Sequence, residues 1–187
     1  MLSETAPGNR ITVFGGSRCG PDADEYKEAL KLGHLLVEAG FDVCSGGYSG
    51  VMEAISRGAH EAGGHVIGVT MEQFKVAPNP YLKKIEPSAD FYARLQTLIR
   101  QSEGYIALRG GMGTVTEISL VWNKLQMKVL PPRPLILLGD CWPQAIGSLR
   151  EHLVISDDDM AHLQFAGTPE EAVGILRERI GTPNIRG

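Results

Sequence analysis

Three apolar runs in this chain each stop at a pair of glycines. Ile11-Thr12-Val13-Phe14 ends at Gly15-Gly16, Phe41-Asp42-Val43-Cys44 at Ser45-Gly46-Gly47, and Tyr105-Ile106-Ala107-Leu108 at Arg109-Gly110-Gly111. Short runs that are apolar nearly throughout and closed by glycine read as strands covered on both faces. Helical patterns lie between them. Asp24 to Ala39 sets Ala29, Leu32, Leu35, Leu36 and Ala39 on one stripe, with Gly40 as its stop. Val51 to Ala62 is stopped by Gly63-Gly64. Strand and helix alternate along the chain, which calls for an α/β sandwich around a central parallel sheet. Such sheets hold ligands at the carboxyl ends of their strands. If these three strands are neighbours, three glycine-lined loops meet at one edge.

The remaining elements follow the same rules. His65–Thr70 and Leu135–Leu138 read as strands, and Asp90–Gln101, Gly113 to about Met127, and Trp142–His152 as helices. Thr168-Pro169-Glu170-Glu171 opens the last helix with a capping box and a proline at its first position. Met71 to Pro87 carries three prolines and reads as a loop over the sheet edge, with a short strand at Leu82–Ile85 as its one regular piece. Residues 1–9 read as a disordered lead and 10–187 as a single nucleotide-binding domain.

At 187 residues and 43% hydrophobic content the chain has enough material for one real core. A formal net charge of −4 leaves no basic footprint for nucleic acid. No run reaches transmembrane length, so no membrane partner is expected. Three cysteines at no recognisable spacing read as reduced cytoplasmic thiols.

The chemistry concentrates in Arg109-Gly110-Gly111-Met112-Gly113-Thr114-Val115-Thr116-Glu117. A glycine-rich turn from a strand into a helix is an anion site, because backbone approaches the ligand closely and first-turn N–H groups point at it. The spacing is neither the dinucleotide fingerprint nor a P-loop. Glu117 has two readings. Thr114-x-x-Glu117 is itself a capping box, and a carboxylate beside a bound phosphoester could equally activate water or bind ribose. Arg94 shares the apolar stripe of Phe91, Leu95, Leu98 and Ile99, a costly place for a guanidinium unless it is paired. It could pair with a structural carboxylate, snorkel to the edge, or face the ligand cleft. Ser17 and Gly47 end the other two glycine loops as candidate nucleotide contacts. Glu53, early in its helix, reads as either a dipole partner or a ligand contact, the structural reading ahead. Arg18 reads as solvated. The histidines show no metal spacing, and no lysine stands where a pyridoxal Schiff base would need one.

Together these segments resemble the lonely guy family, the cytokinin riboside 5′-monophosphate phosphoribohydrolases. The family pattern P-G-G-x-G-T-x-x-E is matched at Gly110, Gly111, Gly113, Thr114 and Glu117, with Arg109 in place of proline. Arg94 stands where the family has its arginine. Ser45 to Glu53 resembles G-G-G-x-x-G-L-M-G, and Val13 to Ser17 the first strand and loop. The resemblance implies a Rossmann-like fold, a homodimer, no metal or organic cofactor, and hydrolysis of a nucleoside 5′-monophosphate, cytokinin-type or purine such as AMP. It implies catalytic roles for Arg94 and Glu117, and phosphate or nucleotide binding by Gly110, Gly111, Met112, Gly113 and Thr114. Leu95 and Thr116 depart from the lysine and glutamate common at those positions, and Met71 to Pro87 matches poorly. Molybdenum-cofactor carrier proteins have a related fold and similar loops, so a non-catalytic binding protein for a nucleotide or phosphorylated pterin is the alternative.

Overall fold

The computed structural model describes residues 9–181. The elements run β1 (Arg10–Phe14), α1 (Asp24–Glu38), β2 (Asp42–Ser45), α2 (Val51–Glu61), β3 (Val66–Met71), β4 (Lys84–Ser88), α3 (Phe91–Arg100), β5 (Gly104–Ala107), α4 (Met112–Gln126), β6 (Leu135–Leu138), α5 (Cys141–His152), α6 (Asp157–Met160), β7 (Leu163–Ala166) and α7 (Pro169–Ile180). The strands form one parallel sheet in the order β4-β3-β2-β1-β5-β6-β7. The chain builds outward from β1 to β4, returns to pair β5 with β1, then builds outward the other way. The strand order therefore reverses at β1, and such a reversal opens a crevice at the carboxyl ends of the strands on either side.

Alternation along each strand divides the core in two. Ile11, Val13, Ile106, Leu108, Ile136 and Leu138 face α1, α2 and α7. Phe14, Tyr105, Ala107, Leu135 and Leu137 face α3, α4 and α5. The helices of the first layer approach closely because α1 and α2 meet through glycine. A Cβ on Gly33 would stand 2.5 Å from Ile55 O, and one on Gly58 would overlap Leu30 O.

Several boundaries and burials differ from expectation. The strand expected at Leu82–Ile85 runs from Lys84 to Ser88 and includes Pro87, which an edge strand tolerates. β7 and α6 were not anticipated. β7 is a four-residue edge strand whose Phe165 faces solvent, so its apolar run is too short to show a period. Phe91, expected in the core, is 41% exposed at the open first turn of α3. Trp122 is half-buried and its Nε1 donates to Asp159 O at 2.7 Å, which ties α4 to α6. Apart from Asn9, the expected N-terminal lead lies outside the described residues. No helix among the described residues is long and apolar enough to cross a membrane.

Candidate active site

The three glycine loops do meet. Gly16 N donates to Arg109 O at 3.1 Å, and Gly16 O accepts from Val51 N at 2.8 Å, so β1's loop is bonded to both others. Gly50 makes this approach possible: its φ is +70° and a Cβ there would stand 2.5 Å from Gly16 O. The loops surround a cleft of about 1200 Å³. Gly110 to Thr114, Ser17, Arg18 and Arg109 line it, as do the apolar side chains of Met71, Phe74, Val76 and Phe91.

Two glycines of the 110–114 loop have no internal reason to be glycine. Gly111 and Gly113 have no positive φ, and a Cβ on either would meet no protein atom within 4 Å. What a Cβ there would obstruct is the cleft itself. Gly111 is the N-cap of α4 and the first intrahelical bond is Val115 N to Gly111 O, 3.1 Å, so the N–H groups of Met112, Gly113 and Thr114 precede the helix's own bonding. That is the geometry of an anion cradle. Gly110 is different, since a Cβ there would overlap the hydroxyl of buried Thr114.

The helix start also decides between the two readings of Glu117. With Met112 first in α4, Thr114 is the third helical residue and Glu117 the sixth. Neither is placed to form a capping box, and that expectation is corrected. Glu117 instead turns to Arg94, with Oε1 3.8 Å from Nη1 and both side chains nearly buried. Burial raises the Glu117 carboxyl to about 7, against the opposing pull of Arg94. Arg94 is fixed by its own bonds: Nε donates to Val69 O at 2.8 Å and Nη2 to Gly46 O at 3.3 Å, with the guanidinium 5.9 Å from the Tyr48 ring centre. Of the three options for Arg94, the cleft and the carboxylate are both realised in one place. Gly46 makes room for it, because a Cβ there would overlap Nη2.

Other residues separate on inspection. Met112 and Ser17 are exposed along the cleft. Gly47 is corrected: its N–H donates to Ser45 Oγ at 3.2 Å, its carbonyl accepts from Asn79 N at 2.9 Å, and Gly46 lines the cleft in its place. Glu53 accepts from Tyr26 OH at 3.0 Å in the first turn of α2, as its structural reading required. Leu95 is buried in the core, and Thr116 turns its hydroxyl back to Met112 O at 2.8 Å. Arg109 Nη1 pairs with Glu25 at 3.1 Å on the rim. Sequence reasoning missed Tyr48, whose hydroxyl accepts from Met71 N at 2.8 Å and whose ring backs Arg94. An aromatic between two glycines was the available signal.

Fold and cleft together define a parallel α/β protein whose cleft sets a glycine-rich helix start beside a buried arginine–glutamate pair. The sequence profile of the SLOG cluster4 family matches residues 9–164, and the chain belongs to that family. It is 36% identical over 169 residues to the probable cytokinin riboside 5′-monophosphate phosphoribohydrolase LOGL5 of Oryza sativa subsp. japonica, across 88% of this chain and 65% of that one. It is 34% identical over 121 residues to cytokinin riboside 5′-monophosphate phosphoribohydrolase LOG7 of Arabidopsis thaliana, across 62% of this chain and 56% of that one. The matches thus span 56% to 65% of these relatives' lengths. Among solved structures, the molybdenum cofactor binding protein of the phototrophic bacterium Rippkaea orientalis shares the fold, with a TM-score of 0.77 at 24% identity over 94% of this chain and 99% of that one.

Proposed function

We propose that this protein hydrolyses the N-glycosidic bond of a nucleoside 5′-monophosphate, releasing the free base and ribose 5-phosphate. The observation that carries this reading is the carboxyl of Glu117, raised to about 7 and held beside Arg94 at the mouth of a glycine-loop anion cradle. The 5′-phosphate sits on the N–H groups of Gly113 and Thr114. Departure of the base breaks the C1′–N bond and builds positive charge on the ribose, which the ionised Glu117 stabilises. Glu117 also takes a proton from the water that attacks C1′, and the departing base nitrogen gains a proton from solvent, to which Glu117 then returns its own. Arg94 holds Glu117 in place and contacts the sugar. Met71, Phe74, Val76 and Phe91 give the base an apolar wall.

The names of the plant relatives support the reaction class and fit a purine or cytokinin-type base. Incubation with AMP and with isopentenyladenosine monophosphate, followed by chromatography, is expected to show free base, with the better substrate defining the wall's preference. No release, with the melting temperature raised by either nucleotide or by a pterin phosphate, replaces the enzyme with a binding protein. We also propose a homodimer. The family resemblance supports it, and Val115, Met127 and Val129 are exposed on or just after α4. Analytical ultracentrifugation is expected to give twice the 20.2 kDa chain mass at micromolar concentration. A monomer overturns it.

A further inference from the structure

A second cavity opens at the opposite end of the sheet, where β6 and β7 begin. Its volume is about 510 Å³, within the range of small-molecule sites. Leu125, Leu130, Pro131, Pro132 and Pro134 form its apolar wall. Its polar side chains are Lys128, Arg133, His162, Gln164 and Arg179, and no carboxylate among the described residues lines it. Lys128, Arg133 and Arg179 thus make this space locally cationic in a chain of net charge −4.

Two of these cations are held at a cost. The Arg133 side chain is only 13% exposed. Its Nη2 lies 3.6 Å from Glu103 Oε1 and its Nη1 donates to Arg100 O at 3.5 Å, both long contacts. Its Nε is buried out of reach of the cavity and has no hydrogen-bond partner, so the guanidinium is incompletely satisfied and only its outer nitrogens can serve a ligand. Buried donors are seldom left so. Lys128 is the one non-glycine residue at positive φ among the described residues, at 57°. It closes α4 as the left-handed residue of a Schellman turn, a position glycine or asparagine usually fills, and its exposed side chain lines the cavity.

Backbone donors already close three carbonyls of the helix end. The carbonyls of Asn123, Lys124 and Leu125 already accept from Met127 N, Val129 N and Lys128 N at 2.9, 2.9 and 3.0 Å. Gln164 Oε1 accepts from Leu135 N at 3.1 Å, which leaves the amide N–H groups as donors. The prolines on either side of Arg133 stiffen the loop that carries it. The fork of a guanidinium and the point charge of an ammonium match phosphate and carboxylate groups.

We propose that this cavity is a second binding site, for a small organic anion carrying phosphate or carboxylate groups on an apolar body. It is independent of the reaction assigned to the cleft, and its test needs no turnover. The full chain is titrated with inorganic pyrophosphate and, separately, with citrate. The Gln164 side-chain amide and the Leu130 backbone amide report locally by NMR, so binding in the distant cleft is not mistaken for it. At least one anion is expected to shift both signals saturably, and the tighter probe tells phosphate from carboxylate. Lys128→Gly and Arg133→Gln are each expected to weaken that binding at least tenfold. Glycine suits the positive φ, so Lys128→Gly retains the fold and decides the matter even if Arg133→Gln does not. Silence of both reporters with both anions, or unchanged affinity in Lys128→Gly, overturns the proposal.

Discussion

Replacing Glu117 by glutamine is expected to lower base release by roughly 10²- to 10⁴-fold while nucleotide affinity changes only a few-fold. Glutamine keeps the shape and an acceptor oxygen for Arg94 but can neither ionise nor accept a proton from water. In the unaltered protein, kcat/KM should rise with pH through about 7, as the raised carboxyl ionises, and then level off. The glutamine variant should be flat over that limb. The same substitution is expected to stabilise the fold at alkaline pH. A carboxyl whose pKa is higher folded than unfolded binds more protons in the native state. Its favourable contribution is complete below its ordinary value of 4.5 and is lost as pH rises through about 7. At pH 8 the native protein must keep a desolvated carboxylate that the variant lacks. Urea unfolding should show Glu117→Gln more stable at pH 8 by on the order of 1–3 kcal/mol, with the gap closing near pH 4.5. A variant that loses turnover yet gains stability is hard to explain except as an acid held in place for its chemistry.

Much of this site was legible because its parts obey local rules. The apolar runs ending at Gly15, Gly46 and Gly110 named three strands, and the parallel order then forced their loops to one edge. Arg94 stood out because a guanidinium on the stripe of Leu95, Leu98 and Ile99 needs a partner. What stayed hidden depended on contacts across the sheet. No spacing reveals that Gly46 is small because Arg94 lies against it, or that Gly58 is small because Leu30 does. Gly46 and Gly47 look interchangeable in sequence. Only the turn after β2 decides that Gly47 spends both backbone groups on Ser45 and Asn79. The helix start mattered as much. Thr114-x-x-Glu117 fits a capping box, and a helix beginning three residues earlier frees Glu117 for Arg94. The edge strand β7 escaped, and β4 was expected two residues too early, because half-exposed strands of four or five residues carry little periodicity.

Arg94→Met is expected to cut turnover by about 10²- to 10³-fold and to displace the pH limb. The loss has two parts. Val69 O and Gly46 O lose their donor, and Glu117 loses the one nearby charge that opposes its burial. With that cation gone the Glu117 carboxyl moves above 7, so the rising limb of kcat/KM against pH should shift to higher pH. Each buried carbonyl left without its donor costs about 1–3 kcal/mol of stability, so a lower melting temperature is expected as well. Stability alone cannot move the pH limb, and that readout separates a positioning role from a damaged fold. Arg94→Lys keeps the charge without the fork, and should hold the limb near its original pH while turnover still falls, since one ammonium cannot serve both carbonyls and the carboxylate. Gly46→Ala tests the same geometry from the other side. Its methyl would displace the guanidinium with every ionisable group retained, and a shift of about 1 Å near reacting atoms costs on the order of 100-fold. If Gly46→Ala and Arg94→Lys both turned over at the rate of the unaltered protein, the guanidinium's position would be irrelevant to the reaction, and the assignment of Arg94 would fall.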